Sequence, residues 1–255
     1  MISGGMTLRQ IIQSVVIPEL FRDVRLHQTA VLVWTRLYWS PVDTVAEHVK
    51  KLGLAPETLR RAVRTLIENE WAVEFHREGL RSPLIVPWMP PHVERMVVHE
   101  MRDVRREVGR VGEWTLECIL CLAVDDRDFR RNVRPEWFTL RVGEGRMEID
   151  FWFRRRRVAI EFQGRQHYEY EPEMHENRRE FMEQQRRDNI KAGLCLRHGI
   201  HYIEIPAHEL SIDYVREKVQ GVLPLRPFPG DSPVVRAINE MCLSYVNTVH
   251  RKIGQ

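Results

Sequence analysis

Lysine is scarce in this chain. Only five of its 39 cationic side chains are lysine, Lys50, Lys51, Lys191, Lys218 and Lys252, and the rest are arginine. The net charge is just +3, yet the planar guanidinium forks suit phosphate geometry, so arginine clusters are compatible with nucleic acid. A GC-rich genome would produce the same bias with no functional meaning. Cysteine is also sparse: there are four in 255 residues. With no apolar N-terminal segment resembling a signal peptide, this argues against a disulfide scaffold and for a reducing, cytoplasmic setting. Cys118 and Cys121 form the one C-x-x-C pair. It has no second pair at zinc-ribbon spacing and lies in an apolar helical run, so core cysteines are expected there. No apolar run is long enough to span a bilayer, so no membrane is expected. Internal repeats and low-complexity tracts are absent as well.

What remains is a chain that is 43% hydrophobic and long enough for two modest domains. Residues 1–20 are weakly patterned, and Thr29–Tyr38 is a strongly apolar helix candidate. Pro41–Leu52 then reads as a short helix, Gly53–Pro56 as a turn, and Glu57–Glu70 as a second helix with Leu59, Val63, Leu66 and Ile67 on one face. That is helix-turn-helix spacing. Trp71–Phe75 and Pro83–Val86 flank a turn at Glu78-Gly79, which supplies the hairpin of a winged helix. Arg60, Arg61 and Arg64 project from the second helix. In a reader of double-stranded DNA they could contact guanine in the major groove, with Arg77 and Arg81 of the wing on backbone phosphates. Winged helices also dock proteins, and the pattern leaves that alternative open.

Pro87, Pro90 and Pro91 interrupt the chain. A boundary there gives a winged helix-turn-helix domain over residues 1–90 and a second domain over 91–255. His92–Glu107 and Glu113–Val124 read as helices of the latter. Beyond them, Arg146–Gly164 (RMEIDFWFRRRRVAIEFQG) contains two alternating segments, Met147–Phe153 and Val158–Gln163, with four arginines between them. This is an antiparallel hairpin pattern. Pairing Phe153 with Val158 sets Asp150 opposite Glu161 and Glu148 opposite Gln163, all on one face. Ile149, Phe151, Phe153, Ile160 and Phe162 fall on the other, which is the expected core. Opposed carboxylates repel, and a hard divalent cation offsets that repulsion. A half-exposed sheet with one wet, acidic face is the plainer alternative.

Asp150 followed eleven residues later by Glu161-Phe162-Gln163 resembles the PD-(D/E)XK, or restriction-endonuclease-like, nuclease superfamily. The Asp and Glu of that motif bind the catalytic metal, and a Lys follows two residues on. Here Gln163 stands in the Lys position, as in certain homing endonucleases, and Ile149 stands where the family name has Pro. The stretch IEFQGRQHY, Arg187–Lys191 and the strand GIHYIEIP are similar to Vsr-like and phage-borne branches. The resemblance covers about Gly109 to Leu210. It implies an α/β restriction-endonuclease-like core, a mixed sheet flanked by helices, behind the winged helix. It also implies Mg²⁺ or Mn²⁺ held by Asp150 and Glu161, with a further acid from the preceding helix. Glu113 and Glu117 both qualify for that role.

The activity so implied is metal-dependent hydrolysis of DNA phosphodiesters, in which the ion activates water and Gln163 orients it. His167 could contact phosphate or shuttle a proton. Lys191 could pair locally with Asp188, touch DNA, or replace the missing motif lysine from another element. Glu173–Arg197 reads as a polar helix ended by Gly199, Ile200–Ile205 as a return strand, and Val235–Lys252 as a terminal helix with Ile238, Met241, Leu243, Tyr245 and Val249. The rival from another class is a DNA-binding regulator or mobile-element accessory protein that keeps the fold without turnover. Duplex DNA is the expected partner, and a homodimer is left open.

Overall fold

The computed structural model describes residues 6–139, 145–164 and 178–253. They fall into two compact units. The first comprises the described residues up to Gly109 with Cys121–Asp125 and Arg226–Ile238. Helix α1, Leu8–Arg22, begins at a capping box: the Thr7 hydroxyl accepts the Gln10 amide at 3.1 Å, and the Gln10 side chain accepts the Thr7 amide at 2.8 Å. This helix corrects the reading of residues 1–20 as weakly patterned. Pro18 within it disturbs the regular spacing, but the T-x-x-Q cap was there to be read.

Helix α2, Gln28–Trp39, carries Trp34 into the middle of the unit. The Trp34 indole N–H donates to the Trp88 carbonyl at 2.9 Å, and its ring meets Trp71 edge-on. Asp43–Thr44 is a short strand, β1, and helix α3 spans Val45–Leu52. The expected helix from Pro41 therefore starts later, because Thr44 and Glu47 form a second capping box that fixes the first turn. Gly53, at φ +63°, closes α3 in the left-handed conformation that glycine adopts readily.

Helix α4, Pro56–Glu68, opens on proline at its first turn and buries Leu59, Ala62, Val63 and Leu66; Ile67 is half-buried. Arg60, Arg61 and Arg64 are exposed on its other side. Strands β2, Ala72–Phe75, and β3, Leu84–Pro87, form an antiparallel hairpin, and β1 adds to it in the order β1-β3-β2. Helix α5, Pro91–Glu107, packs against α1 and buries Val93, Val97, Met101 and Val104. The first unit thus runs to Gly109 rather than ending at residue 90. Pro90 and Pro91 are the cap and first residue of α5, where a missing N–H costs nothing, so they open a helix instead of marking a linker.

Burial pushes the Glu94 carboxyl on α5 up to about 7, against the Trp88 indole and Val234 amide N–H groups, which favour the ion. The folded chain then keeps a proton that the unfolded chain releases near 4.5. The contribution of Glu94 to the unfolding free energy should therefore fall by about 3 kcal/mol as pH rises from about 4.5 to about 7. Denaturant melts of wild type and Glu94→Gln across this range check it: the difference between the two curves should carry this slope, and the variant should be the more stable protein at pH 8.

The second unit comprises the described residues of Arg110–Leu120, Asp126–Leu225 and Asn239 onward. Helix α6 is Val111–Ala123, strand β4 is Arg130–Val133, β5 is Ile149–Phe153 and β6 is Val158–Gln163. A 3-10 turn, Arg154–Arg156, joins β5 to β6, followed by Arg157 at φ +55°. Helix α7, Arg178–Arg197, ends before Gly199 (φ +61°) and leads into β7, His201–Pro206. Helices α8, Ile212–Val219, and α9, Pro233–Ile253, complete the order. The sheet order is β4-β5-β6-β7; the first two pairings are antiparallel and β6–β7 is parallel, which makes a mixed α/β unit.

Phe151 pairs with Ile160 and Phe153 with Val158, the register inferred from alternation. The expectation of a single core face is corrected, however. All six residues of β6 are buried. On one side the Phe162 ring packs against Gly112 of α6 and Tyr245 of α9. On the other, Trp152, Ala159 and Tyr202 pack with Leu194 and Cys195 of α7. A helix delivered by the parallel crossover covers the acid-bearing face, so the wet-face alternative does not hold. Of the apolar residues of α9, Leu243 is 64% exposed, while Ile238, Met241 and Val249 are buried. Among the described residues no helix is long and apolar enough to cross a membrane. The four cysteines form no disulfide.

Candidate functional site

Asp150 is the second residue of β5, and its Oδ2 accepts the Phe162 backbone amide at 2.9 Å. A carboxylate thus takes the ladder position opposite β6, which holds Asp150 in place. Glu161 and Gln163 follow on β6 and are only 4% and 3% exposed. Helix α7 brings Lys191 onto Glu161, with Nζ 2.6 Å from Oε2. Gln163 Nε2 donates to Glu204 Oε1 on β7 at 3.2 Å. Glu204 lies beside Glu161 in the parallel register.

The remaining oxygens are poorly satisfied. Glu161 Oε1, Gln163 Oε1 and the Tyr202 hydroxyl are buried without a hydrogen-bond partner. Such groups cost on the order of 1 to 3 kcal/mol each and call for an unseen partner. Burial raises the carboxyls of both Asp150 and Glu161. The Phe162 amide and then Lys191 act against the shift at Asp150; at Glu161 the Asp150 charge adds to it and Lys191 opposes it. Two acids confined in low dielectric, with one ammonium between them, will take up a proton or a further cation.

The two candidate helix acids have different surroundings. Glu117 is buried and pairs with Arg131 of β4, Nη1 to Oε2 at 2.8 Å. Glu113, one turn earlier, is raised by burial and then by the Asp150 charge, with Arg110 opposing through contacts of 3.2 and 3.3 Å. Glu113 therefore borders the Asp150 acid and Glu117 belongs to a structural ion pair. Gly112 permits this placement. A Cβ there would overlap the rings of Phe162 and Tyr245, both parts of the packed core. Gly112→Ala should push α6 off the sheet and cost roughly 1 to 3 kcal/mol, read as a lowered melting temperature.

Three residues of the hairpin reading, Asp150, Glu161 and Gln163, are thus brought together with Lys191 of the polar helix, and Glu113 stands beside Asp150. Arg60, Arg61 and Arg64 lie on α4 of the first unit. His167 lies outside the described residues. Arg110, Glu204 and Tyr202 were missed. The first stands in an R-x-x-E pair that local spacing could have revealed; the other two reach the site only through the parallel β6–β7 pairing. Among the described residues, no group of three or more His, Cys, Asp or Glu side chains could hold a metal. The donors on offer are the hard oxygens of two carboxylates, Asp150 and Glu161, and the orphaned Glu161 Oε1 suits a small divalent ion that keeps several waters.

No family model and no solved structure matches the chain. It is 32% identical over 78 residues to the uncharacterized protein 307L of Invertebrate iridescent virus 6, covering 29% of this chain and 40% of that protein. It is 38% identical over 74 residues to the uncharacterized protein 094L of Frog virus 3, covering 29% and 48%. A similar match, 32% over 73 residues, is made to the uncharacterized protein 033L of Invertebrate iridescent virus 3. The chain spans less than half the length of the curated relatives it matches.

Proposed function

We propose that this protein is a metal-dependent DNA endonuclease of the restriction-endonuclease-like type, directed to duplex DNA by an N-terminal winged helix. The observation that carries this reading is Lys191. The motif resemblance lacks its lysine on β6, and an ammonium from α7 stands on the motif glutamate instead. Asp150 and Glu161 would hold Mg²⁺ or Mn²⁺, with Glu113 bordering them. When bound, such an ion lowers the pKa of a water and stabilises the departing 3′ oxygen. Gln163 cannot take a proton, but its Oε1, buried without a hydrogen-bond partner, would accept a hydrogen bond from such a water and so orient it. Arg110 offsets the acids through Glu113. In the first unit, the exposed Arg60, Arg61 and Arg64 suit the major groove, and Arg77 and Arg81, exposed beyond the β2 strand, suit phosphates.

One observation favours a second reading, a DNA-binding protein without turnover: Lys191 already neutralises Glu161, and among the described residues no three-acid cage surrounds the pair. Supercoiled plasmid separates the two readings. The nuclease should convert it to nicked or linear forms in Mg²⁺ or Mn²⁺ and leave it intact in a chelator. Retardation of DNA with no cleavage in any divalent ion would support the binding protein.

A further inference from the structure

Lys191 and a divalent ion compete for one oxygen. The ammonium lies 2.6 Å from Glu161 Oε2 and so occupies the first-contact position that a hard cation would take. Glu161 cannot move to relieve the conflict. It sits in the middle of β6, paired to β7 on one side and next to β5 on the other, and its side chain is only 5% exposed. Lys191 can. Its side chain is 18% exposed, and its four-carbon stem rotates at small cost.

Asp150 and Glu161 together carry two negative charges when ionised, and Lys191 cancels one, so an ion meets a weaker negative potential while the ammonium stays. Glu161 Oε1, buried and without a hydrogen-bond partner, offers an ion one oxygen while Lys191 keeps the other, so both are available only once the ammonium leaves.

We infer that Lys191 is a gate on metal loading: it holds Glu161 while DNA is absent and yields the carboxylate when a backbone phosphate draws the ammonium away. By reciprocity, a phosphate that draws Lys191 from Glu161 raises ion affinity by the same factor as the ion raises the affinity for that phosphate. The site is then poorly loaded in free protein and loaded on its substrate, which limits cleavage to DNA already engaged. This rests on the metal-nuclease reading above.

The test is titration of Mn²⁺ into DNA-free protein, followed by calorimetry and by the spin-resonance signal of free Mn²⁺. It is run at alkaline pH so that a proton does not take the ammonium's place on Glu161. Wild type, Lys191→Met, Lys191→Gln and Lys191→Arg are compared, with circular dichroism confirming that each is folded. Lys191→Met and Lys191→Gln should bind Mn²⁺ about tenfold more tightly than wild type or more, and Lys191→Arg, which keeps the cation, should remain close to wild type. Glu161→Gln should abolish the gain, which places the ion at that carboxylate. Equal, measurable Mn²⁺ affinity in wild type and both neutral variants would overturn the gate and leave the nuclease reading standing. No Mn²⁺ binding by any variant would overturn both.

Discussion

Asp150→Asn should lower divalent-ion-dependent DNA cleavage by about a thousandfold or more, while DNA affinity measured in Ca²⁺ stays close to wild type. The substitution removes an anionic oxygen but not the structure around it. The amide oxygen of Asn can still accept the Phe162 N–H that Asp150 Oδ2 accepts at 2.9 Å. Burial, with a smaller push from the Glu148 charge, holds Asp150 above its ordinary range, so folding as an ion is a cost that the variant avoids. Its melting temperature should accordingly be no lower than wild type, and a rise at pH 8 is the expected sign. Activity and stability then move in opposite directions, which separates a catalytic acid from a structural one. Retained cleavage in the purified variant would remove Asp150 from the reaction.

Replacing Arg60, Arg61 and Arg64 together by Ala should have the second largest effect, on recognition of DNA rather than on chemistry. Each arginine that reads a guanine edge is worth about 1 to 3 kcal/mol of discrimination, whereas one that touches only phosphate weakens all sequences alike and lowers the salt slope. The three side chains are exposed on α4, opposite Leu59, Ala62, Val63 and Leu66, so their loss leaves the unit's packing intact. Arg60 also lies 3.6 Å from Glu57, an exposed pair of little weight. Binding to a selected site and to random duplex, each over a salt series, reads both quantities. Unchanged specificity and affinity in the triple variant would assign α4 to a protein partner. Point variants suit this test better than deleting residues 1–90. That cut would remove α1 from beneath α5 and lay bare Val93, Val97 and Met101.

The hairpin register, the left-handed glycines at 53 and 199 and the apolar face of α4 were legible because each rests on local spacing. Alternation of side chains sets strand faces, and a positive φ favours glycine, whatever the rest of the chain does. Two capping boxes, Thr7 with Gln10 and Thr44 with Glu47, were equally local and show that helix starts can be read from four residues. Strand β4 was less accessible. RRNV is short and charged, it includes Asn132 at φ +51°, and its only apolar member is Val133, so it forms by pairing with β5 rather than by pattern.

For the site, the sequence by itself determined that Asp150, Glu161 and Gln163 share one face of a hairpin. Only the tertiary structure decided what that face meets. Helix α7 returns over it through the parallel β6–β7 connection, burying Glu161 and setting Lys191 on it from thirty residues away. Gly112 lets α6 close on Phe162 and Tyr245, which puts Glu113 beside the Asp150 charge and leaves Glu117 to Arg131. Spacing along a chain reports neighbours within a turn or across a short loop. Burial and long-range charge pairing depend on which elements pack together, and that is settled by the apolar surfaces of the whole unit.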